Sequence, residues 1–407
     1  MRPETATAGS VEWAAVLSRL RSPDETTRWW TGFTVVSLLV ALPLVVSGPG
    51  NDLDVGNVFR SGRAIARHLT YVPSRPPGAP VHEAIVGVLD LVGGPILTNL
   101  ASLAAAGVFV WALNALLLRE GVGRAGRWGV ALVAANPWFV IAATSTADYV
   151  FALMFCVLAA LAVRSDRAAL AGLLAAAAMG SRIGSVTLIA GLLFAELGTG
   201  DGARRRVLTT ALVGAGAALA LFVPSIIEAG GLAFAQNDFS ASSPLVQLGR
   251  AAAKDLLLLG IPTVVVLLVC LPALVAALRT WSDSWLVRFA VLGLVLSQAL
   301  FLRFPWKMAH LLPTLVCIAV LYAVALQERP RVLMAVVALQ LVFGVVRVDV
   351  LAPNDANEAS GGRFRPGITA GPVLTDWRCR RDDPDAYRGR QKEEIEVAWD
   401  CAAPYRD

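Results

Sequence analysis

Charged residues are scarce in this chain. Only 16% of its 407 residues are Asp, Glu, Lys or Arg, against roughly 25% in a soluble globular protein, which excludes an ordinary water-facing surface over most of the length. Histidine is rarer still: His68, His82 and His310 are the whole complement, too scattered for a local zinc motif. No G-x-x-x-x-G-K-[ST] loop is present, which argues against an ATP-driven pump in one chain, and there is no G-x-S-x-G nucleophile elbow. No basic stripe with interleaved aromatics occurs, so the net charge of +5 does not point to nucleic acid. Of the five cysteines, Cys156, Cys270 and Cys317 lie in apolar runs, where a thiol is a small hydrophobe. Cys379 and Cys401 lie in a polar tail, where pairing would require an oxidising compartment.

What the chain has instead is apolar sequence in blocks: 56% of it is hydrophobic. Runs such as "FTVVSLLVALPLVV", "ILTNLASLAAAGVFVWALNALLL" and "TVVVLLVCLPALVAAL" are long enough to cross a hydrocarbon core of about 30 Å. The reading is an all-α integral membrane protein with about eleven spans, at 30-47, 96-118, 128-144, 148-163, 168-181, 183-198, 207-223, 256-278, 286-301, 308-326 and 332-348. Arg182 interrupts the stretch 168-198, which predicts a tight hairpin of two short helices. Three divisions follow: a cytoplasmic segment 1-29, a membrane domain 30-348 and a polar tail 349-407. With the N-terminus inside, sixteen Arg residues fall on the cytoplasmic side against nine Lys and Arg in the opposite loops, the bias seen in plasma-membrane proteins. The tail and the loop 48-95 are then extracytoplasmic.

That first loop is a polar island. "GNVFRSGRAIARHL" spaces Val58, Ile65 and Leu69 for one apolar face of a short surface helix. The prolines of "VPSRPPGAP" forbid a helix, and "VHEAIVGVLDLVGG" predicts a second short helix. Asp52 and Asp54, in "GNDLDVG", follow the first span at once. A carboxylate there suits a general base, and the D-x-D spacing leaves a divalent metal open; a solvated acidic turn is the plain alternative. Asp148 begins a span, where it either caps the helix or serves a site. Arg182, Arg303, Lys307 and His310 fall at the same outer level, suited to a lipid phosphate or to snorkelling toward ordinary membrane headgroups.

The order of these pieces resembles the multispan glycosyltransferases that use polyprenyl-phosphate sugars, the C-type glycosyltransferase fold, whose members include protein mannosyltransferases and lipid A aminoarabinose transferases. "STADYVFALMFCVLAALAVRSDRAALAGLLAAAAMGSRIG" is similar to the family's acidic-start helix, charged turn and small-residue helix ending at an arginine, and "FPWKMAHLLPTLVCIAVLYA" to its late "RYLLP" segment. The resemblance implies Asp54 as the catalytic aspartate, with Asp52 as the close alternative. It implies donor binding at Asp148 and Arg182, with the loop residue Arg75 on the substrate side. Where the family has Arg-Tyr this chain has Ala309-His310, which leaves Lys307 or Arg303 to meet the phosphate. The implied partners are a polyprenyl-phosphate sugar, an extracytoplasmic acceptor and membrane lipids, with no cofactor required. A mannosyl or arabinosyl donor is the compositional guess. Competing readings are a transporter or flippase, and a noncatalytic assembly protein of the same fold.

Overall fold

The structure, a computed structural model, describes residues 25–46, 48–50, 54–228, 230–231, 244–305, 307–345, 347–351 and 366–371. Asp52, Cys379 and Cys401 lie outside them, as does most of the polar tail. Two compact units divide at Pro43. The described part of the first belongs to helix α1 (Glu25–Val45). At its start the ring of Trp29 stacks on Phe33 at 5.2 Å and meets Trp30 edge-on at 4.7 Å, an aromatic cluster of the kind found at membrane interfaces.

The second unit is a helical bundle. In order it contains α2 (Val55–His68), α3 (Pro80–Arg119), α4 (Arg124–Ala135), α5 (Pro137–Ala143), α6 (Tyr149–Arg164), α7 (Ala168–Ser181), α8 (Val186–Leu197) and α9 (Ala203–Glu228). After these come α10 (Pro244–Leu259), α11 (Ile261–Val269), α12 (Leu271–Leu278), α13 (Trp285–Arg303), α14 (Leu312–Ala325) and α15 (Pro330–Val345). A two-stranded ribbon, β1 (Arg347–Leu351) antiparallel to β2 (Pro366–Gly371), follows. α7 packs on α6 and α9, α8 on α13, and α3 on α2 and α6. Small residues allow these approaches: a Cβ on Gly191 would fall 2.9 Å from the Gly293 nitrogen, and one on Gly172 only 2.8 Å from the Thr210 carbonyl oxygen. Lipid gives apolar side chains no reason to leave it, so close backbone packing of this kind holds membrane helices together.

Among the described residues five helices are long and apolar enough to cross a membrane, six if a bent pair is one span, and four shorter apolar helices accompany them. The expected count of about eleven spans, several of them short, is not matched by these lengths. Two breaks account for much of the difference. The expected span 128-144 divides at Asn136-Pro137 into α4 and α5, because proline lacks the donor to continue the first helix. The expected span 256-278 begins earlier, at Pro244, and bends by 86° at Gly260 between α10 and α11. Gly260 has a φ of +76°, which a side chain would strain. The backbone oxygens freed at this bend are met from elsewhere: Asn136 Nδ2 donates to Leu258 O at 2.7 Å and to Gln340 Oε1 at 2.9 Å, and Gln340 Nε2 donates to Leu259 O. Irregular backbone survives at membrane depth only when such partners exist.

The interruption at Arg182 is as the sequence predicts. Arg182 is extended (φ −156°, ψ 116°), and the chain reverses there through a 3-10 turn, Ile183–Ser185, into α8. The surface helix also forms, one residue earlier than expected, but its buried face differs. Val55, Val58 and Phe59 are buried, whereas Leu69 is 93% exposed. Leu69 ends the helix in the left-handed conformation (φ 51°), so it cannot continue the stripe on which the sequence places it.

Candidate active site

The first loop folds into a roof over one end of the second unit. α2 meets α3 at backbone contact: a Cβ on Gly62 would lie 2.7 Å from both Glu83 O and Gly87 N, and one on Gly87 only 2.0 Å from Gly62 O. Arg63 Nε donates to Asp90 Oδ2 at 2.6 Å across the same pair of helices. The proline-rich strand between them is tied down where Ser74 N donates to Glu83 Oε1 at 3.0 Å. Arg75, the next residue, is thereby fixed at the crest. Gly78 turns the strand back with a φ of +91°, and Tyr71 OH occupies the space that a Cβ would need.

A buried knot sets the two aspartates relative to one another. Asn99 on α3 donates from Nδ2 to Val45 O at 2.9 Å and to Gly48 O at 2.6 Å, while its Oδ1 accepts from Thr146 Oγ1 at 3.0 Å. Thr146 N donates to Pro49 O at 2.8 Å. The chain leading to Asp54 and the chain leading to Asp148 are thus joined a few residues before each carboxylate. Both aspartates then occupy the N-cap position of a helix, α2 and α6, without a side-chain capping bond. Capping, the plain reading of Asp148, is therefore not what engages its carboxylate.

Ion pairs engage it instead. Arg182 NH1 donates to Asp148 Oδ1 at 2.9 Å and Oδ2 at 3.1 Å, and Arg75 NH2 donates to Asp148 Oδ2. The other fork of Arg75 lies 3.5 Å from Asp54 Oδ2, which also accepts from Lys307 Nζ at 2.8 Å. Five expected site residues therefore form one chain of contacts: Lys307, Asp54, Arg75, Asp148 and Arg182. Asp148 is nearly closed off, at 4% exposure, but Asp54, Arg75, Lys307 and Arg182 remain 20 to 26% exposed at their side chains. Burial pushes the Asp54 carboxyl up, yet Lys307 and Arg75, with Arg182 behind them, hold it well below the usual carboxylate range. The Arg182 guanidinium also covers the ring of Tyr149, 4.0 Å from its centre.

His310 borders this group in a 3-10 turn, Met308–Leu311. Its ring lies 6.1 Å from that of Tyr149, and its Nδ1 is 3.4 Å from Phe304 O. Arg303 is exposed at the end of α13, over the ring of Phe304 at 5.2 Å; Lys307, not Arg303, is the cation of this segment that reaches Asp54. Among the described residues no group of three or more His, Cys, Asp or Glu side chains could hold a metal ion.

Three further groups were not picked out in the sequence. His82 is fully buried beside Phe151, ring centres 5.2 Å apart, and neither of its ring nitrogens has a hydrogen-bond partner among the described residues. Its charge environment is set by Asp148, Arg75 and Arg182. Arg250 and Lys254 lie four apart on α10, which packs against the turn carrying His310. The apolar run from Leu256 hid this helix inside an expected loop; the signal available was Pro244, a helix-starting residue ahead of "LVQLGRAAAKD".

No protein-family model and no curated protein matches the chain. Solved structures do. The crystal structure of ArnT from Cupriavidus metallidurans bound to undecaprenyl phosphate is similar over 74% of this chain and 60% of that protein, at 16% identity and a TM-score of 0.53. Its apo form gives 17% identity and a TM-score of 0.47. The helical membrane fold anticipated from the resemblance is therefore present, with the β1–β2 ribbon added, on a chain that spans three-fifths of that neighbour's length.

Proposed function

We propose that this chain is a membrane glycosyltransferase that moves a sugar from a polyprenyl-phosphate donor to an extracytoplasmic acceptor, with Asp54 as general base. The observation that carries the reading is the convergence of Arg75, Arg182 and Lys307 on Asp54 and Asp148 at one solvent-reachable end of the bundle. Three cations against two carboxylates leave a single positive charge, which matches the one negative charge of a phosphodiester-linked sugar. Forked Arg donors and a Lys point charge suit a phosphate that gains charge as it leaves. That the neighbouring ArnT structure holds undecaprenyl phosphate supports the donor class.

In this scheme the acceptor hydroxyl attacks the anomeric carbon while the bond to the phosphate oxygen breaks and its electron pair stays on the phosphate. Asp54 takes the hydroxyl proton. Attack from the face opposite the phosphate inverts the anomeric centre. Arg182, Arg75 and Lys307 stabilise the leaving phosphate, and Asp148 orients Arg182 and Arg75. Asp52 remains the alternative base, and a mannosyl or arabinosyl donor the guess from composition. The test is transfer by the purified protein from labelled polyprenyl-phosphate sugars, comparing Asp54→Asn with Asp52→Asn. Loss in the first alone assigns the base to Asp54, and unchanged transfer in both removes the assignment.

A further inference from the structure

A base must hold a proton in the transition state, and a carboxylate clamped by two cations holds one poorly. Asp54 is in that position: Lys307 Nζ lies 2.8 Å and Arg75 NH1 3.5 Å from the same oxygen, Oδ2. These cations are also among the groups that a donor phosphate must use. The two demands compete, because Lys307 and the near fork of Arg75 already face a carboxylate. Resting on the donor reading above, we propose that the donor phosphate exchanges for Asp54 on Lys307 and Arg75, so that donor binding releases the base.

The geometry favours exchange at Asp54 and not at Asp148. Asp148 is 4% exposed and takes Arg182 through both oxygens, with the far fork of Arg75 in addition. Asp54 is 26% exposed, as is Lys307, so a ligand arriving from outside reaches that pair first. Arg75 is held by Asp148 through NH2 while NH1 turns from Asp54 to phosphate, so it need not leave its place. Charge stays balanced through the cycle. Before transfer, the three cations face Asp54, Asp148 and a phosphodiester with one negative charge. Afterwards Asp54 carries the acceptor's proton and is neutral, while the product phosphate monoester carries nearly two negative charges. The other titratable groups around this cluster, His82 beside Asp148, His310 near Lys307 and Arg182, and Lys254 with Arg250 beyond it, keep their places in the exchange. The order of events follows: donor first, then acceptor.

The experiment uses full-length protein in phosphatidylcholine nanodiscs, with undecaprenyl phosphate as the probe. Two quantities are measured: the affinity for the lipid, and the titration of the Asp54 carboxyl by difference infrared spectroscopy, its band identified by loss in Asp54→Asn. Freeing a carboxylate from a neighbouring cation raises its titration by about one pH unit or more, and by reciprocity Asp54→Asn binds the lipid about tenfold more tightly. Lys307→Met provides a second arm: Asp54 titrates higher before any lipid is added, and lipid affinity falls. If Asp54→Asn does not fold, the shift of the band in Asp54→Glu identifies it, and this arm and the wild-type titration decide. Equal affinity with an unmoved Asp54 titration overturns the exchange and leaves the donor reading intact. Wild-type protein that does not bind undecaprenyl phosphate removes the donor reading, and the exchange with it.

Discussion

The second unit has two polar ends, built from the same residue types and finished differently. At the end opposite the roof, Glu196 of α8 is fully buried. Arg206 Nε donates to it at 2.7 Å, Trp285 Nε1 at 3.1 Å and Thr199 Oγ1 at 3.0 Å, and Arg164 lies 3.7 Å away. Arg164 is further occupied by Glu120 at 2.8 Å and by the Trp285 ring. Arg288 nearby spends its guanidinium on the carbonyls of Ala195, Trp281, Ser282 and Gly198. Charges and hydrogen bonds close on one another there, as a buried ion must if it is to be stable. At the roof end the pairs form an open chain with one cation in excess, and the carboxylate Asp54 is 26% exposed where Glu196 is closed off. The contrast separates a fastening from a candidate site: one end closes on itself, the other keeps a cation in excess. It also argues against passage through the bundle, since the Glu196 cluster ties α6, α8, α9 and α13 together where a transport path would have to leave.

Exchanging the treatments of the two ends gives the sharpest test. Asp54→Asn is expected to lower transfer by about 10²- to 10⁴-fold, the usual contribution of a positioned base, with only a modest drop in melting temperature, because its ion pairs are partly screened by solvent. Glu196→Gln should do the reverse: it leaves the half-buried Arg206 and Arg164 facing a neutral amide and costs about 1–3 kcal/mol of stability, read by thermal unfolding, with the activity per folded molecule retained. A catalytic collapse in Glu196→Gln without loss of stability would break the comparison. An intermediate effect is expected at the roof. Gly87→Ala puts a methyl onto the Gly62 carbonyl and forces α2 away from α3, a strain of about 1–3 kcal/mol. Because α2 begins at Asp54, transfer should fall more than the stability loss alone would produce. Equal activity per folded molecule would mean that the roof does not position the base.

Much of the site is legible in the sequence because membrane sequence makes charge conspicuous. Asp148, Arg182 and Lys307 each sit at the edge of an apolar run, and Arg75 stands in a proline-rich strand that cannot be helical. Their convergence is not legible: it depends on the Asn99–Thr146 knot, and a single Asn inside an apolar run carries no mark of what it will bind. The fold is legible as helices but not as a count of crossings. "LLLLGIPTVVVLLVC" reads as one apolar run, and only Gly260 followed by Pro262 signals the bend. The partners that make the bend tolerable, Asn136 and Gln340, come from remote segments. Leu69 fails differently: spacing puts it on the apolar face, but the helix ends before the spacing applies.

The smallest expected effect concerns pH, and it bears on the open end alone. Asp54 has a carboxyl held below the usual range in the folded protein, so its contribution to stability is present above the unfolded value of about 3.9 and is lost as pH falls through the lower folded value. Between pH 5 and 9 it therefore gives no slope to the melting temperature. Activity should be more sensitive. The acid limb of kcat/KM for the donor reports the free enzyme, where Lys307 and Arg75 hold Asp54 ionised, whereas the limb of kcat reports the donor complex. If the phosphate takes those cations over, the kcat limb lies at higher pH than the kcat/KM limb, by about one unit or more. Coincident limbs would mean that Asp54 has the same neighbours with and without donor, and the open end would then be as fixed as the Glu196 cluster.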